Sequence, residues 1–137
     1  MNIDYKINAP VTTEQFKALL EQSTLGERRP LDNNECLQGM IKNSNLIVSA
    51  WHGEKLIGIA RSVTDFHYAC YLSDLAVDKQ YQKTGIGRKC LALTQGQLGP
   101  ECKLILIAAP AAHSYYGKIG FTGNERCWVL DRDEPVK

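Results

Sequence analysis

The 137-residue chain has no C-x-x-C pair, no marked excess of either charge and no apolar run of membrane length. Each absence removes a class of protein. Five cysteines stand at 36, 70, 90, 102 and 127, odd in number and widely spaced. That pattern excludes a zinc cage or a thioredoxin-like dithiol and predicts reduced thiols, with Cys90 and Cys102 packed among apolar neighbours; no metal is expected. Sixteen Lys and Arg against fifteen Asp and Glu leave a charge of +1, too little for a polyanion-binding face, so no nucleic-acid partner is expected. The longest apolar runs are strand-sized, far short of the roughly 20 residues of a membrane span, so no membrane partner is expected. The start, Met1-Asn2-Ile3-Asp4-Tyr5-Lys6, has no charged segment followed by an apolar one, which predicts a cytoplasmic protein. With only 11 Gly and 5 Pro the chain is not collagen-like, and 44% hydrophobic residues exclude disorder. What remains is a single domain over residues 1–137 with one hydrophobic core.

The hydrophobic period then divides the chain. Asp4 to Ile7 reads as a short strand. Thr12 and Thr13 before Phe16, Leu19 and Leu20 read as a capped amphipathic helix, and Arg28-Arg29-Pro30 breaks the chain after it. A second helix follows Asp32, with Leu37, Met40 and Ile41 on one face. Leu46 to Trp51 and Leu56 to Val63 read as strands joined by a turn at His52-Gly53-Glu54-Lys55. Cys70 to Val77 is the next strand. Ile86, Cys90 and Leu93 mark a third helix that Gly99-Pro100 stops. Lys103 to Ala108 contains a continuous apolar run, predicting a strand covered on both faces. A short helix over Ala111 to Gly117 and a last strand over Cys127 to Leu130 complete the order β-α-α-β-β-β-α-β-α-β. The fold class is therefore mixed α/β, a sheet with helices over it, and not a doubly wound nucleotide fold.

The stretch from Leu72 to Lys89 carries the chemistry. A strand ends at Val77, a polar loop Gln82-Lys83-Thr84-Gly85-Ile86-Gly87 follows, and a helix begins inside it. Glycines at alternate positions let the backbone turn tightly and expose its N–H groups. A helix start carries unpaired donors and partial positive charge. Together they form a seat for a phosphate or pyrophosphate, with Lys83, Arg88 and Lys89 adding charge beside it. No Gly-Lys-Ser/Thr ending is present for a P-loop, and Cys90 stands where the dinucleotide fingerprint needs its third glycine. The bland alternative is an ordinary glycine-rich turn between a strand and a helix.

Gln82-x-x-Gly85-x-Gly87, after a strand ending Asp-Leu-Ala-Val and before an amphipathic helix, resembles the acetyl-CoA loop of the GNAT superfamily of N-acetyltransferases. Downstream, Tyr115-Tyr116-Gly117-Lys118-Ile119-Gly120-Phe121 resembles that family's aromatic-Tyr-x-Lys-x-Gly-Phe segment. The two motifs span about Cys70 to Phe121, the order of elements extends the likeness over most of the chain, and the helix pair with Arg28-Arg29-Pro30 resembles that of small stand-alone bacterial-type members. The resemblance implies a mostly antiparallel central sheet flanked by helices. It implies acetyl-CoA as co-substrate, with the pantetheine arm along Leu75, Ala76 and Val77 and the pyrophosphate on Gln82, Lys83, Thr84, Gly85, Ile86, Gly87 and Arg88. It implies Tyr116 as the proton donor to the leaving thiolate, with Tyr115 as the packing member of the pair. Asp74 stands where many members have an acid; it would deprotonate the amine directly or through water, or hold a cationic substrate by charge. Asp65, His67 and Tyr71 are weaker candidates for that role.

Two departures stand out. Tyr71 occupies the offset of the glutamate base of the histone-modifying branch, and Pro110-Ala111-Ala112 replaces an asparagine frequent after the fifth strand. Arg28, Arg29 and Phe66 are the candidate acceptor-binding residues, the two arginines for an anionic part of the acceptor; Trp51 is read as core. The expected activity is acetyl transfer to the primary amine of a small molecule or peptide in a ternary complex, by a monomer or homodimer. The alternative is an acetyl-CoA-sensing or partner-binding module that keeps the fold without turnover.

Overall fold

Thr12 closes a capping box: its side chain accepts from the Gln15 amide at 3.1 Å and the Gln15 side chain accepts from the Thr12 amide at 2.9 Å. That box opens helix α1 (Thr13–Gln22), which buries Phe16, Leu19 and Leu20. The computed structural model of the protein describes residues 2–137. A 3-10 turn at Thr24–Arg28 leads to helix α2 (Asn34–Lys42), capped by Asn33 and burying Leu37. The chain divides into two compact units, one ending at Ile107 and one running from Ala108 to Lys137.

The first unit holds a five-stranded sheet. Its strands are β1 (Asp4–Ile7), β2 (Leu46–His52), β3 (Lys55–Thr64), β4 (Ala69–Val77) and β5 (Lys103–Ile105), in spatial order β1-β2-β3-β4-β5. Every pairing is antiparallel except β4 with β5, which is parallel. The fold class expected from the sequence is the one found. Gly53, at φ +61°, turns β2 into β3. Residues Leu46 to Trp51 are all buried, so β2 is covered on both faces, and the Trp51 indole donates to Ser49 Oγ at 2.8 Å inside this core.

Successive side chains of a strand point to opposite faces. Gly58 meets helix α3 (Ile86–Gly96), whereas Arg61 reaches Met40 of α2 and Ser44 behind it. The sheet is therefore sandwiched, with α2 on one face and α3 on the other. A Cβ on Gly58 would lie 2.9 Å from Ile86 Cγ2 and 3.3 Å from Ala50 Cβ. Absence of a side chain there lets the first residue of α3 seat directly on β3. Gly58→Val is expected to lift the start of α3 from the sheet and to destabilise the protein by about 2 kcal/mol through overpacking. It should also weaken coenzyme A binding; chemical denaturation and a binding titration check both, and an unchanged midpoint would refute the packing argument.

Cys70 and Cys90 are fully buried, and burial pushes the Cys90 thiol up to about 12. This is a packing thiol, as its apolar neighbours predict. Cys102 is only half-buried, less than expected, because it lies in the connection that leads into the edge strand β5.

β5 corrects another expectation. It is three residues long and Ile105 is 46% exposed, so the strand is not covered on both faces. Its parallel ladder reaches only Ala69, Cys70 and Tyr71 although β4 itself continues to Val77, so an apolar composition alone did not carry the strand further.

The second unit contains a 3-10 turn at Pro110–Ala112, helix α4 (His113–Lys118) and irregular chain after it. The strand expected over Cys127 to Leu130 does not form. Trp128 is 91% exposed and no described strand pairs with this segment. β-propensity expresses a fit to a half-buried pleated surface, and this run meets none.

Candidate active site

β4 runs past its partner. β5 pairs with Ala69 to Tyr71, while β3 pairs with β4 as far as Val77. From Leu72 onward no described strand pairs with the other edge of β4, where side chains reach only the Ser73 and Val77 carbonyls. The Asp78 amide donates to Ile57 of β3 at 2.9 Å, so the alternation of an antiparallel ladder turns Ala76 and Asp74 to β3 and turns Leu75 and Val77 outward. The Val77 carbonyl accordingly accepts from the Gln82 side chain at 3.1 Å, away from β3. Leu75 and the Val77 amide thus leave main-chain groups with no described protein partner, which could pair with an extended ligand in the manner of an added strand.

The strand opens into the glycine loop. Asp78, buried, caps a 3-10 turn at Lys79–Tyr81 by accepting from the Gln80 amide at 2.9 Å, and pairs with Lys55 at 3.3 Å. The Thr84 hydroxyl donates to the Tyr81 carbonyl at 2.5 Å, folding the loop onto that turn. The β2–β3 hairpin braces it from the other side, through His52 Nδ1 and the Tyr81 hydroxyl at 2.7 Å. Lys83 and Gly85 have φ of +64° and +85°, and Gly85 is the N-cap of α3 with no side-chain cap bond. The first intrahelical bond runs from the Lys89 amide to the Gly85 carbonyl. Among the described residues the amides from Gln82 through Arg88 have no protein partner. Consecutive unpaired amides at a helix start are an anion seat.

The other sequence candidates separate into distinct places. Asp74 is 0% exposed, and its two carboxylate oxygens accept from Arg29 Nε at 2.5 Å and from Arg61 Nε. Arg29 is thus brought to β4, while Arg28 stays exposed and gives Arg29 only its carbonyl, at 3.0 Å. Phe66 is not brought to this group. It stands in the β3–β4 turn beyond the Thr64–Cys70 pair, at φ +66°, and its carbonyl accepts from Gly99 at 2.8 Å. Arg61 and Ser73 are the residues that sequence reasoning missed. The available signal was an arginine inside the apolar run of β3, since a buried guanidinium requires a buried partner.

Asp65 is a turn residue. One of its oxygens accepts from the amides of His67, Tyr68 and Ala69 at 3.0, 2.8 and 3.0 Å. Those amides, Tyr68 foremost, hold its carboxyl below the usual range. A carboxyl depressed in the folded state lends stability above its unfolded pKa and loses it as pH falls through the folded value. Asp65→Asn is expected to lower Tm at neutral pH, with the gap to the parent closing in acid; a gap constant with pH would contradict this origin.

In the second unit α4 ends in a tight reversal. The Phe121 amide donates to the Tyr116 carbonyl at 3.0 Å across Gly120, at φ +106°. This sets the Phe121 ring edge-on to Tyr116 at 5.4 Å between centroids. Tyr115, expected to be the packing residue, is 37% exposed, and Tyr116 is the more buried of the two. Burial, then the neighbouring Tyr115, pushes the Tyr116 phenol up. Among the described residues no group of three His, Cys, Asp or Glu side chains could hold a metal ion, and no helix is long and apolar enough to cross a membrane.

A strand edge without a described partner strand, leading into unpaired amides, could hold a long ligand with one extended arm and a phosphate at its other end. The sequence profile of the acetyltransferase (GNAT) domain matches residues 18–127, and the chain belongs to the GNAT acetyltransferase family. No protein of curated function matches the sequence. Among solved structures it is similar to a Staphylococcus aureus protein, SA2161, described as a probable acetyltransferase of unknown function. The two share 22% identity at a TM-score of 0.74, over 95% of this chain and 100% of that one. Similar too is the GNAT-family acetyltransferase SP0256 of Streptococcus pneumoniae, with 22% identity, a TM-score of 0.74 and 96% and 100% coverage. The aminoglycoside N-acetyltransferase AAC(6')-Iy, solved in complex with CoA, is 16% identical at a TM-score of 0.71, over 96% of this chain and 95% of that one. At these identities the likeness is one of fold.

Proposed function

We propose that the protein transfers the acetyl group of acetyl-CoA to a primary amine of a small molecule or peptide. The observation that carries the reading is the outward-facing main chain of Leu75 and Val77 running into the unpaired amides of Gln82 to Arg88. Pantetheine amides pair with the first. The diphosphate rests on the second, with Lys83, Thr84, Gly85, Ile86, Gly87 and Arg88 around it. Main-chain groups hold most of the coenzyme, which is how a chain of charge +1 accommodates so anionic a ligand. CoA bound to a structural neighbour supports the choice of ligand.

The reaction is an acyl substitution. The neutral amine nitrogen attacks the thioester carbon, forming a C–N bond and a tetrahedral oxyanion that an outward amide of β4, at Leu75 or Val77, stabilises. The nitrogen gives up a proton to solvent water. The C–S bond breaks, and the thiolate takes a proton from the Tyr116 phenol, which solvent then restores. Products are the N-acetyl amine and CoA thiol. The assignment of Tyr116 rests on its motif and on the chemistry of its hydroxyl: a phenol with a pKa raised by burial enters the reaction protonated. Arg28 is the candidate for an anionic part of the acceptor, and Phe66 for an apolar part.

A thiol-release screen with acetyl-CoA against polyamines, aminoglycosides, amino acids, arylalkylamines and N-terminal peptides tests the proposal. Release above the hydrolytic background with one amine class is expected. One observation favours a second reading, an acetyl-CoA-sensing module: Asp74 has both oxygens engaged by guanidinium groups. Thermal stabilisation by acetyl-CoA without release from any amine would select it.

A further inference from the structure

Asp74 sits in a knot of charges that spans the first unit. Arg29 comes from the end of the 3-10 turn after α1, Arg61 from β3 and Asp74 from β4. Each arginine is held by more than the carboxylate. Arg29 Nη2 donates to the Ser73 carbonyl at 2.8 Å and its Nη1 to the Arg28 carbonyl at 3.0 Å. Arg61 Nη1 donates to Ser44 Oγ at 2.9 Å and to the Met40 carbonyl at 3.3 Å, and its Nη2 to Ser73 Oγ at 2.9 Å.

Ser73 is the point of the arrangement. The β3–β4 register shifts between Arg61, opposite Asp74, and Ser62, opposite Leu72, so Ser73 is the extra residue of a β-bulge. Its carbonyl is gripped by one arginine and its hydroxyl by the other. Past the bulge the ladder resumes, and Leu75 and Val77 take the outward positions described above. A bulge re-aims the strand that follows it, so the knot fixes which main-chain groups of β4 face the ligand. The same contacts disqualify Asp74 as a proton acceptor. To take a proton from an amine it would have to release a guanidinium while buried, leaving two cations beside one neutral acid.

We infer that Arg29, Arg61 and Asp74 are positioning residues, holding the Ser73 bulge so that the outward amides of β4 stand in register with the thioester, and that Asp74 takes no proton from the acceptor. The inference rests on the transferase reading above. The inference gives the amine's proton to solvent, and the acid side of the rate profile to the acceptor's own ammonium group.

The test is the pH profile of kcat/KM, with two acceptors of different pKa from the class found active, for the parent and for Asp74→Asn, Arg29→Lys and the double variant. The acid limb in the parent should move with the pKa of the acceptor and keep its midpoint in Asp74→Asn. Displacement of the oxyanion donors by an ångström should lower kcat by about a hundredfold, and acetyl-CoA affinity should fall by less than kcat, because the amides of Gln82 to Arg88 that seat the diphosphate are untouched. Arg29→Lys, which keeps the charge and loses the planar fork, should lose kcat although Asp74 is intact. The double variant should lose no more than the worse single one. Disappearance of the acid limb in Asp74→Asn, a fully active Arg29→Lys, or losses that multiply would each overturn the inference while leaving the transferase reading in place. If Asp74→Asn does not fold, Arg29→Lys and the acceptor dependence of the parent's acid limb decide the matter. A parent that binds no CoA and releases no thiol overturns the transferase reading and this inference together.

Discussion

Gly87→Glu is expected to abolish coenzyme A binding while leaving the fold intact. Gly87 is the second residue of α3, half-buried, inside the run of unpaired amides that begins at Gln82. A carboxylate there satisfies the helix start with its own charge, which favours the folded protein slightly. It also sets a negative group where the diphosphate must rest. Like charges so placed cost several kcal/mol, so affinity should fall by about a hundredfold or more. Calorimetric titration with CoA, beside a thermal melt, separates the two effects. A variant that melts with the parent and binds CoA normally would show that the phosphates rest elsewhere.

Tyr116→Phe carries the second large effect. The change removes one oxygen from a ring that packs against Phe121, so the reversal after α4 should persist. If the phenol protonates the departing thiolate, kcat should fall by about a hundredfold, the usual contribution of a placed general acid. The dissociation constant of acetyl-CoA should hardly move. Because burial pushes the phenol above its ordinary value near 10, its own ionisation lies beyond the neutral range. The profile of the parent should therefore show no loss from this group between pH 6 and 9, about four to one units below that ordinary value. A variant with the parent's kcat would remove Tyr116 from the reaction.

These predictions begin in features readable along the chain. The capping box at Thr12, the positive φ at Gly53 and Gly85 and the apolar face of α3 are set within a few residues of sequence. Local chemistry acts over that distance, and so the helices, the hairpin and the glycine loop were legible. The loop motif also named the anion seat, because what makes the seat is backbone geometry imposed by the same glycines.

Other features required the folded chain. Arg29 and Asp74 are 45 positions apart, and nothing local marks them as partners. Asp74 alone reads as a base; only the folded chain shows that both its oxygens accept from guanidinium groups. One edge of β4 lacks a described partner strand because β5 stops after three residues, a matter of ladder length and not of composition. Cys127 to Leu130 has the composition of a strand and forms none, since a strand is completed by a neighbour and this segment has no described one. The sequence by itself thus determined the turns, the helices and the loop that can hold a phosphate, all governed by short-range backbone preferences. Tertiary structure decided which edge stays open and which charges neutralise one another, because both depend on residues that only folding brings together.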